Sequence, residues 1–382
     1  MQTNNKEDVL QAAVIGGSLG GLCAALALRG AGVDVEVFEK SRSEMSDRGA
    51  GLVVQMEVLQ LLEGLGIANR NDVSVPSLSR QYLNRDGSVA MADRSRQLMT
   101  SWDTIYRQLK DAFPDEKYHH ASRLKSFEQN ENGVIVQFED GREISCNLLV
   151  GADGANSVIR RQLLPDVSPE YAGYVAWRGL VNESDLEPEI AGVFQDKFTF
   201  YQGRNSHILC YLIPGENGKL SRGQRRLNWV WYWNIPEKEL RSALTDKTGV
   251  FRDYSVPQGT VPQELIEKQR IIAKDFLPDA FRHLFNCTKE PFIQPIYDLS
   301  VPQMAFGRVC LIGDAAFVPR PHTAASTSKA ANNAMSLASA IRNYDSDVVA
   351  ALKNWQPSQL DLGNYLREMG TSLGNRSQFA AL

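Results

Sequence analysis

The chain has 382 residues, 43% of them hydrophobic and 23% charged, with a formal net charge of −4. Such a length is too great for one small core and suits two interlocked domains of ordinary globular composition. No long basic run marks a nucleic-acid footprint, and no uninterrupted apolar stretch is long enough to span a bilayer.

Met1 to Asp8 is polar and leads straight into a strand, with no signal-type apolar region before it. Ala12 to Ile15 is a short buried strand, Leu19 to Arg29 has helical spacing, and Val33 to Phe38 is the next strand, ending at Glu39. Together they predict a βαβ unit with a tight first turn. Gly49 to Val54 follows, then a helical run through Val58, Leu61, Leu62 and Leu65. Asp86-Gly87 centres a hairpin over Tyr82 to Ala90, and Thr104 to Phe113 is a helix. Val134 to Phe138 and Glu143 to Cys146 flank Glu139-Asp140-Gly141, a second hairpin, and Leu148 to Val150 delivers the chain to Asp153.

From Tyr171 to Asn234 aromatic and branched residues alternate. The pattern predicts antiparallel strands over Phe194–Tyr201, His207–Ile213 and Leu227–Trp233, with one face packed and one facing a cavity. Trp229, Trp231 and Trp233 share one face, suited to core packing, and Val230 and Tyr232 share the other. Helix returns over Val261–Phe285, a buried strand over Arg308–Ile312, a helix over Ala330–Arg342 and an amphipathic helix over Val348–Leu373. The expected fold class is α/β: a Rossmann-like nucleotide-binding domain, an inserted substrate domain on an antiparallel β-sheet, and a helical C-terminal tail. The nucleotide domain is assembled from residues 1–75, 101–170 and 296–345. The hairpin 76–100 and residues 171–295 form the substrate domain, and 346–382 the tail. Five scattered cysteines without a C-x-x-C pair argue against a disulfide framework or a metal site. They point to a reducing compartment, with cytoplasm the expectation.

Three separated segments carry nucleotide chemistry. In the first, Gly16 makes the tight turn of a dinucleotide fingerprint and Gly21 allows helix and strand to pack closely. Ser18 replaces the middle glycine, and its hydroxyl can donate to a phosphate oxygen. The N–H groups at Leu19 and Gly20 and the helix dipole favour a pyrophosphate. Glu39, with Lys40 beside it, sits where the motif wants an acid for ribose hydroxyls. The second segment is Asp153-Gly154-Ala155-Asn156-Ser157 with Arg160, in which the carboxylate can cap the following helix. The third is Gly313-Asp314-Ala315-Ala316-Phe317-Val318-Pro319-Arg320-Pro321, followed by Ala324-Ala325-Ser326-Thr327-Ser328.

In this order and spacing the three segments resemble the flavoprotein aromatic hydroxylases, single-component FAD-dependent monooxygenases. The segment D-G-x-x-S-x-x-R, here Asp153 to Arg160, is the most specific match. The resemblance implies that NAD(P)H reduces a non-covalent FAD, which takes up O2 as a C4a-hydroperoxide and passes one oxygen to an electron-rich ring. By position it implies that Asp314 binds the ribityl chain and that Pro321 presents a carbonyl to the substrate. The helix start at Ala325, Ser326 and Thr327 would face flavin N1 and C2=O, where negative charge develops. Arg48 and Gln55 bracket a strand edging the flavin, Tyr106 takes the place of an FAD-contacting arginine, and Leu124 approaches adenine. Two departures stand out: the loop lacks the usual glycines, and Asn333 replaces an aspartate.

The implied substrate is a small hydroxylated aromatic or N-heteroaromatic ring, and such a ring needs a base or acceptor near its hydroxyl. His207, with Tyr211 on the same strand face, and His322, directly after Pro321, are the candidate catalytic residues. His119 and His120 read as surface and His283 as structural. The implied partners are the aromatic substrate and O2, with no nucleic acid and no membrane, in a monomer or homodimer. Two other readings stay open. Trp231 to Pro236 fits the W-x-W-x-I-P signature of flavin-dependent halogenases, although no lysine lies between Lys40 and Lys110 to receive hypohalite. A non-catalytic flavin- or aromatic-binding protein would also carry the substituted loop.

Overall fold

Ala12 to Ile15 are all buried, as a strand covered on both faces requires. In the computed structural model, which describes residues 9–45 and 50–379, Gln11–Ile15 lies inside a six-stranded sheet. It pairs in parallel with Asp34–Phe38 on one side and Leu148–Gly151 on the other, and Leu148–Gly151 pairs in parallel with Val309–Leu311. The strands that deliver Gly16, Asp153 and Gly313 are therefore immediate neighbours. Segments hundreds of residues apart in sequence leave the same sheet edge side by side, which is where ligands bind in open α/β sheets.

A second, eight-stranded sheet forms the other half of the molecule. At its centre Glu170–Asn182, Arg226–Asn234, Ser206–Ile213 and Lys197–Gly203 run antiparallel in that order. The hairpin of Ser79–Leu83 and Val89–Asp93 joins it through a parallel pairing with Lys197–Gly203. Period two divides its residues cleanly. Val175, Trp177, Trp229 and Trp231 enter an apolar core with Phe281 and Phe285, whereas Arg178, Val230, Tyr232, His207 and Tyr211 line a cavity.

Several boundaries differ from expectation. Phe194 closes a helix, Pro188–Phe194, so its strand begins at Lys197. Helix over Val261–Phe285 is cut at Leu277-Pro278 into Gln263–Phe276 and Asp279–Cys287, because a residue before proline is held extended and Leu277 has ψ 145°. The strand Phe292–Ser300 was not expected, since Pro295 interrupts its pattern. His119, expected at the surface, is partly exposed there. With Tyr118 it forms an edge strand of the parallel sheet and bonds Glu36. The helix expected from Ala330 begins at Ser326, and the tail helix runs on to Gln378.

Candidate active site

Gly16 has φ +106°, and a Cβ there would meet the Ala152 carbonyl oxygen at 2.4 Å. A Cβ on Gly21 would lie 1.7 Å from the Gly16 carbonyl oxygen. The first turn is thus pressed against the second segment, and only glycine fits at either place. The helix Leu19–Gly30 follows with Ser18 at its N-cap, and no side chain caps it. Its first N–H groups are left for another acceptor. Ser18, Leu19 and Gly20 line the main cavity, of about 1590 Å³.

Asp153 accepts from Val158 N at 2.7 Å through one oxygen, while the other, Oδ1, is buried without a partner. Burial pushes its carboxyl pKa up, against the hydrogen bonds from Ser157 and Val158. Ser157 caps the helix by accepting from Arg160 N. The Arg160 guanidinium does not close on Asp153. It donates to the carbonyls of Ala155 (2.5 Å) and Ala315 (3.0 Å), tying the second segment to the third.

In the third segment Gly313 N donates to Asn333 Oδ1 at 3.0 Å, and Asn333 Nδ2 donates to Gln359. An amide serves where the family has an aspartate because both its ends are used. Asp314 Oδ1 accepts from Ser326 Oγ (2.8 Å) and Lys329 Nζ (3.0 Å). Ala324 adopts the left-handed conformation, φ 54°, that turns the loop into the helix Ser326–Asn343, and no side chain caps that helix start. Gln55, Asp314, Pro321, Ala325, Ser326 and Thr327 all line the main cavity. Arg320 clamps the loop by a two-bond pairing with Asp298 and a bond to Asn375 of the tail helix.

Glu39, Lys40, Tyr106 and Leu124 do not line the main cavity. Glu39 is buried, and both its oxygens are occupied by backbone, Gly17 N and Ser41 N, each at 2.8 Å. Lys40 lines a separate cavity of about 320 Å³ with Arg42 and Arg123. Tyr106 is buried behind Trp102, stacked on it at 4.8 Å, and it is Trp102 that reaches the main cavity. Leu124 is buried at the start of its strand, and Arg48 lies outside the described residues.

The sheet side of the same cavity carries His207, Leu209 and Tyr211, as period two predicts. His322 faces them from the loop. Its Nε2 shares a 3.0 Å hydrogen bond with Tyr174 OH, and its ring lies 4.4 Å from Tyr232 and 6.2 Å from His207. Burial lowers the His207 pKa to about 4, and burial, reinforced by His207 and Arg320, lowers that of His322 to about 3. Both rings are neutral near pH 7, able to accept a hydrogen bond but reluctant to take up a proton. The His207 Nδ1 is buried without a partner.

Arg178 escaped the sequence reading as a site residue. Its signal was there: in Tyr174-Val175-Ala176-Trp177-Arg178 the inward places are Val175 and Trp177, which leaves Arg178 on the cavity face. Its Nε is buried with no hydrogen-bond partner, and among the described residues no carboxylate pairs with it. Around it stand Tyr211, Tyr232, Val230 and Phe292. Tyr174, Tyr232 and Lys329 were missed as well.

The residues fit a flavin dinucleotide. Two uncapped helix starts, at Ser18 and Ala325, and the Asp314 carboxylate line one cavity, and the tight Gly16 turn with the orphaned Asp153 oxygen lies next to it in the chain. Among the described residues no helix is long and apolar enough to cross a membrane, and no cluster could hold a metal ion.

Residues 171–298 match a family model described as FAD binding domain-like. The chain is 38% identical to 2,6-dihydroxypyridine 3-monooxygenase of Paenarthrobacter nicotinovorans, over 96% of this chain and 92% of the relative. It is 27% identical to 6-hydroxynicotinate 3-monooxygenase of Pseudomonas fluorescens, over 86% of this chain and 82% of the relative. The solved structure of 2,6-dihydroxypyridine-3-hydroxylase from Arthrobacter nicotinovorans matches with a TM-score of 0.92 at 35% identity, covering 97% of this chain and 93% of that one.

Proposed function

The chain belongs to the flavoprotein aromatic hydroxylases, FAD-dependent monooxygenases that use NAD(P)H and O2, and from that premise we propose that its substrate is a small hydroxypyridine-type ring bound as an anion against Arg178. The observation that carries this reading is the Arg178 Nε, buried with no hydrogen-bond partner on the cavity face. A cation facing a largely apolar cavity costs free energy until an anion meets it. The flat, neutral walls around it, Tyr211, Tyr232 and Phe292, suit a planar ring.

FAD would be held by the Gly16 turn, Ser18 and the N–H groups after it, by Asp153 and Asp314, and by the uncapped start of the helix at Ser326. When bound it supplies the reduction by NAD(P)H and the activation of O2. The chain's own residues do the rest. Arg178 favours the deprotonated ring oxygen, which makes the ring a better nucleophile. His207 and His322, kept neutral by burial, can accept a hydrogen bond from the ring and so orient it, while the proton the ring gives up leaves to solvent. The loop 319–322 and the sheet face enclose the ring and keep water from it.

The reading is tested with a ligand panel. Hydroxypyridines with an ionisable hydroxyl should stimulate NAD(P)H oxidation and be hydroxylated, and their O-methyl counterparts should do neither. Equal stimulation by the O-methyl compounds would defeat it. His322→Ala should lower hydroxylation by roughly 10²-fold, as a small misplacement of reacting groups does. NAD(P)H oxidation should continue, with the electrons appearing as hydrogen peroxide, and unchanged product per NAD(P)H would make His322 a bystander. With both histidine pKa values depressed, the unfolded chain binds more protons than the folded one between about pH 3 and 6.5. Stability should fall as pH drops through that window and be flat above it.

A further inference from the structure

Lys329 stands where three separate costs fall on a cation. It is 2% exposed, it lies in the first turn of the helix Ser326–Asn343, and burial pulls its pKa down. A positive charge near a helix N-terminus opposes the dipole, and a buried one needs a partner. Among the described residues its one carboxylate partner is Asp314, at 3.0 Å, and its ammonium also donates to the Phe317 carbonyl. Local rules are broken in this way mainly where function demands it.

The bonds to Asp314 are one-sided. Lys329 and Ser326 both engage Oδ1, and among the described residues no donor engages Oδ2, on a side chain that is 43% exposed and lines the main cavity. Through Phe317 the same ammonium also holds the start of the loop that carries Pro321 and His322.

We propose that Lys329 is a positioning and charge-balancing residue for the flavin. It fixes the Asp314 carboxylate with Oδ2 free for the cofactor, and it cancels a negative charge that would otherwise oppose reduction of the ring. Reduction adds negative charge to the flavin, so an uncompensated carboxylate beside the cavity favours the oxidised form. The inference rests on the reading that Asp314 lies against FAD.

The test is the two-electron midpoint potential of the holoenzyme, read spectroscopically against a reference dye, together with FAD affinity from flavin fluorescence. Lys329→Met should lower the ratio of reduced to oxidised flavin at a fixed potential by tenfold or more, about 30 mV for this couple. Asp314→Asn should move it the other way, and the double variant, neutral again, should return close to the parent. A role in packing alone would not give opposite signs and a rescue. Should Lys329→Met fail to accumulate, Lys329→Gln carries the same expectation. If Asp314→Asn shifts the potential while neither lysine variant does, or if the double variant fails to recover, the proposal is wrong. If Asp314→Asn leaves both affinity and potential unchanged, the placement of Asp314 at the flavin is what fails.

Discussion

Gly16→Val should yield protein without flavin. Two effects act together at this position. The backbone at φ +106° is closed to a β-branched residue, and the new side chain would run into the Ala152 carbonyl 2.4 Å from its Cβ. Strain of this kind costs about 1–3 kcal/mol. The collision adds to it by forcing the strand Gln11–Ile15 away from Leu148–Gly151, its direct neighbour. The turn and the Asp153 segment would separate, and the cradle for the pyrophosphate would be lost. Absorbance of the purified variant near the flavin bands, with circular dichroism to confirm retained structure, checks this. A yellow Gly16→Val protein would mean that the fingerprint turn does not approach the cofactor.

Replacing Arg178 by methionine should lower kcat/KM for the ring substrate by roughly 10²-fold or more, corresponding to about 3 kcal/mol, the scale for removing one member of a buried charge pair. FAD content should stay at the parental level, because Arg178 lies on the sheet side of the cavity. Stability of the ligand-free protein should hold or rise, since the change removes a partly buried cation whose Nε has no hydrogen-bond partner. That combination separates a substrate-binding role from a structural one. Lysine at 178 should recover only part of the activity, as it brings charge without the planar fork. Parental kcat/KM in Arg178→Met would remove the anion from the account.

The parts of the fold legible in the sequence were those fixed by local pattern. Alternation placed the tryptophans of Arg226–Asn234 in the core and Val230 and Tyr232 on the cavity, and the three glycine and aspartate segments marked the strand ends. What stayed hidden was decided by tertiary partners. Nothing local shows that Glu39 spends both oxygens on backbone N–H groups, or that Tyr106 is screened by Trp102. The early start of the helix at Ser326 depends on a left-handed Ala324, which residue type does not announce. Lys329 reads as an ordinary helix cation until Asp314, fifteen positions upstream, is seen beside it. Arg178 was visible by period two, but its lack of a partner is a property of the whole cavity wall.

On the proposed reading, the ring binds as an anion on Arg178 among neutral aromatic walls. This is tested most directly by the ultraviolet difference spectrum of a hydroxypyridine bound to the oxidised holoenzyme, titrated across pH. The expected result is the spectrum of the deprotonated ring at pH values well below the ligand's own pKa, with that signature lost in Arg178→Met. A bound ring that keeps the neutral spectrum until its solution pKa would contradict it.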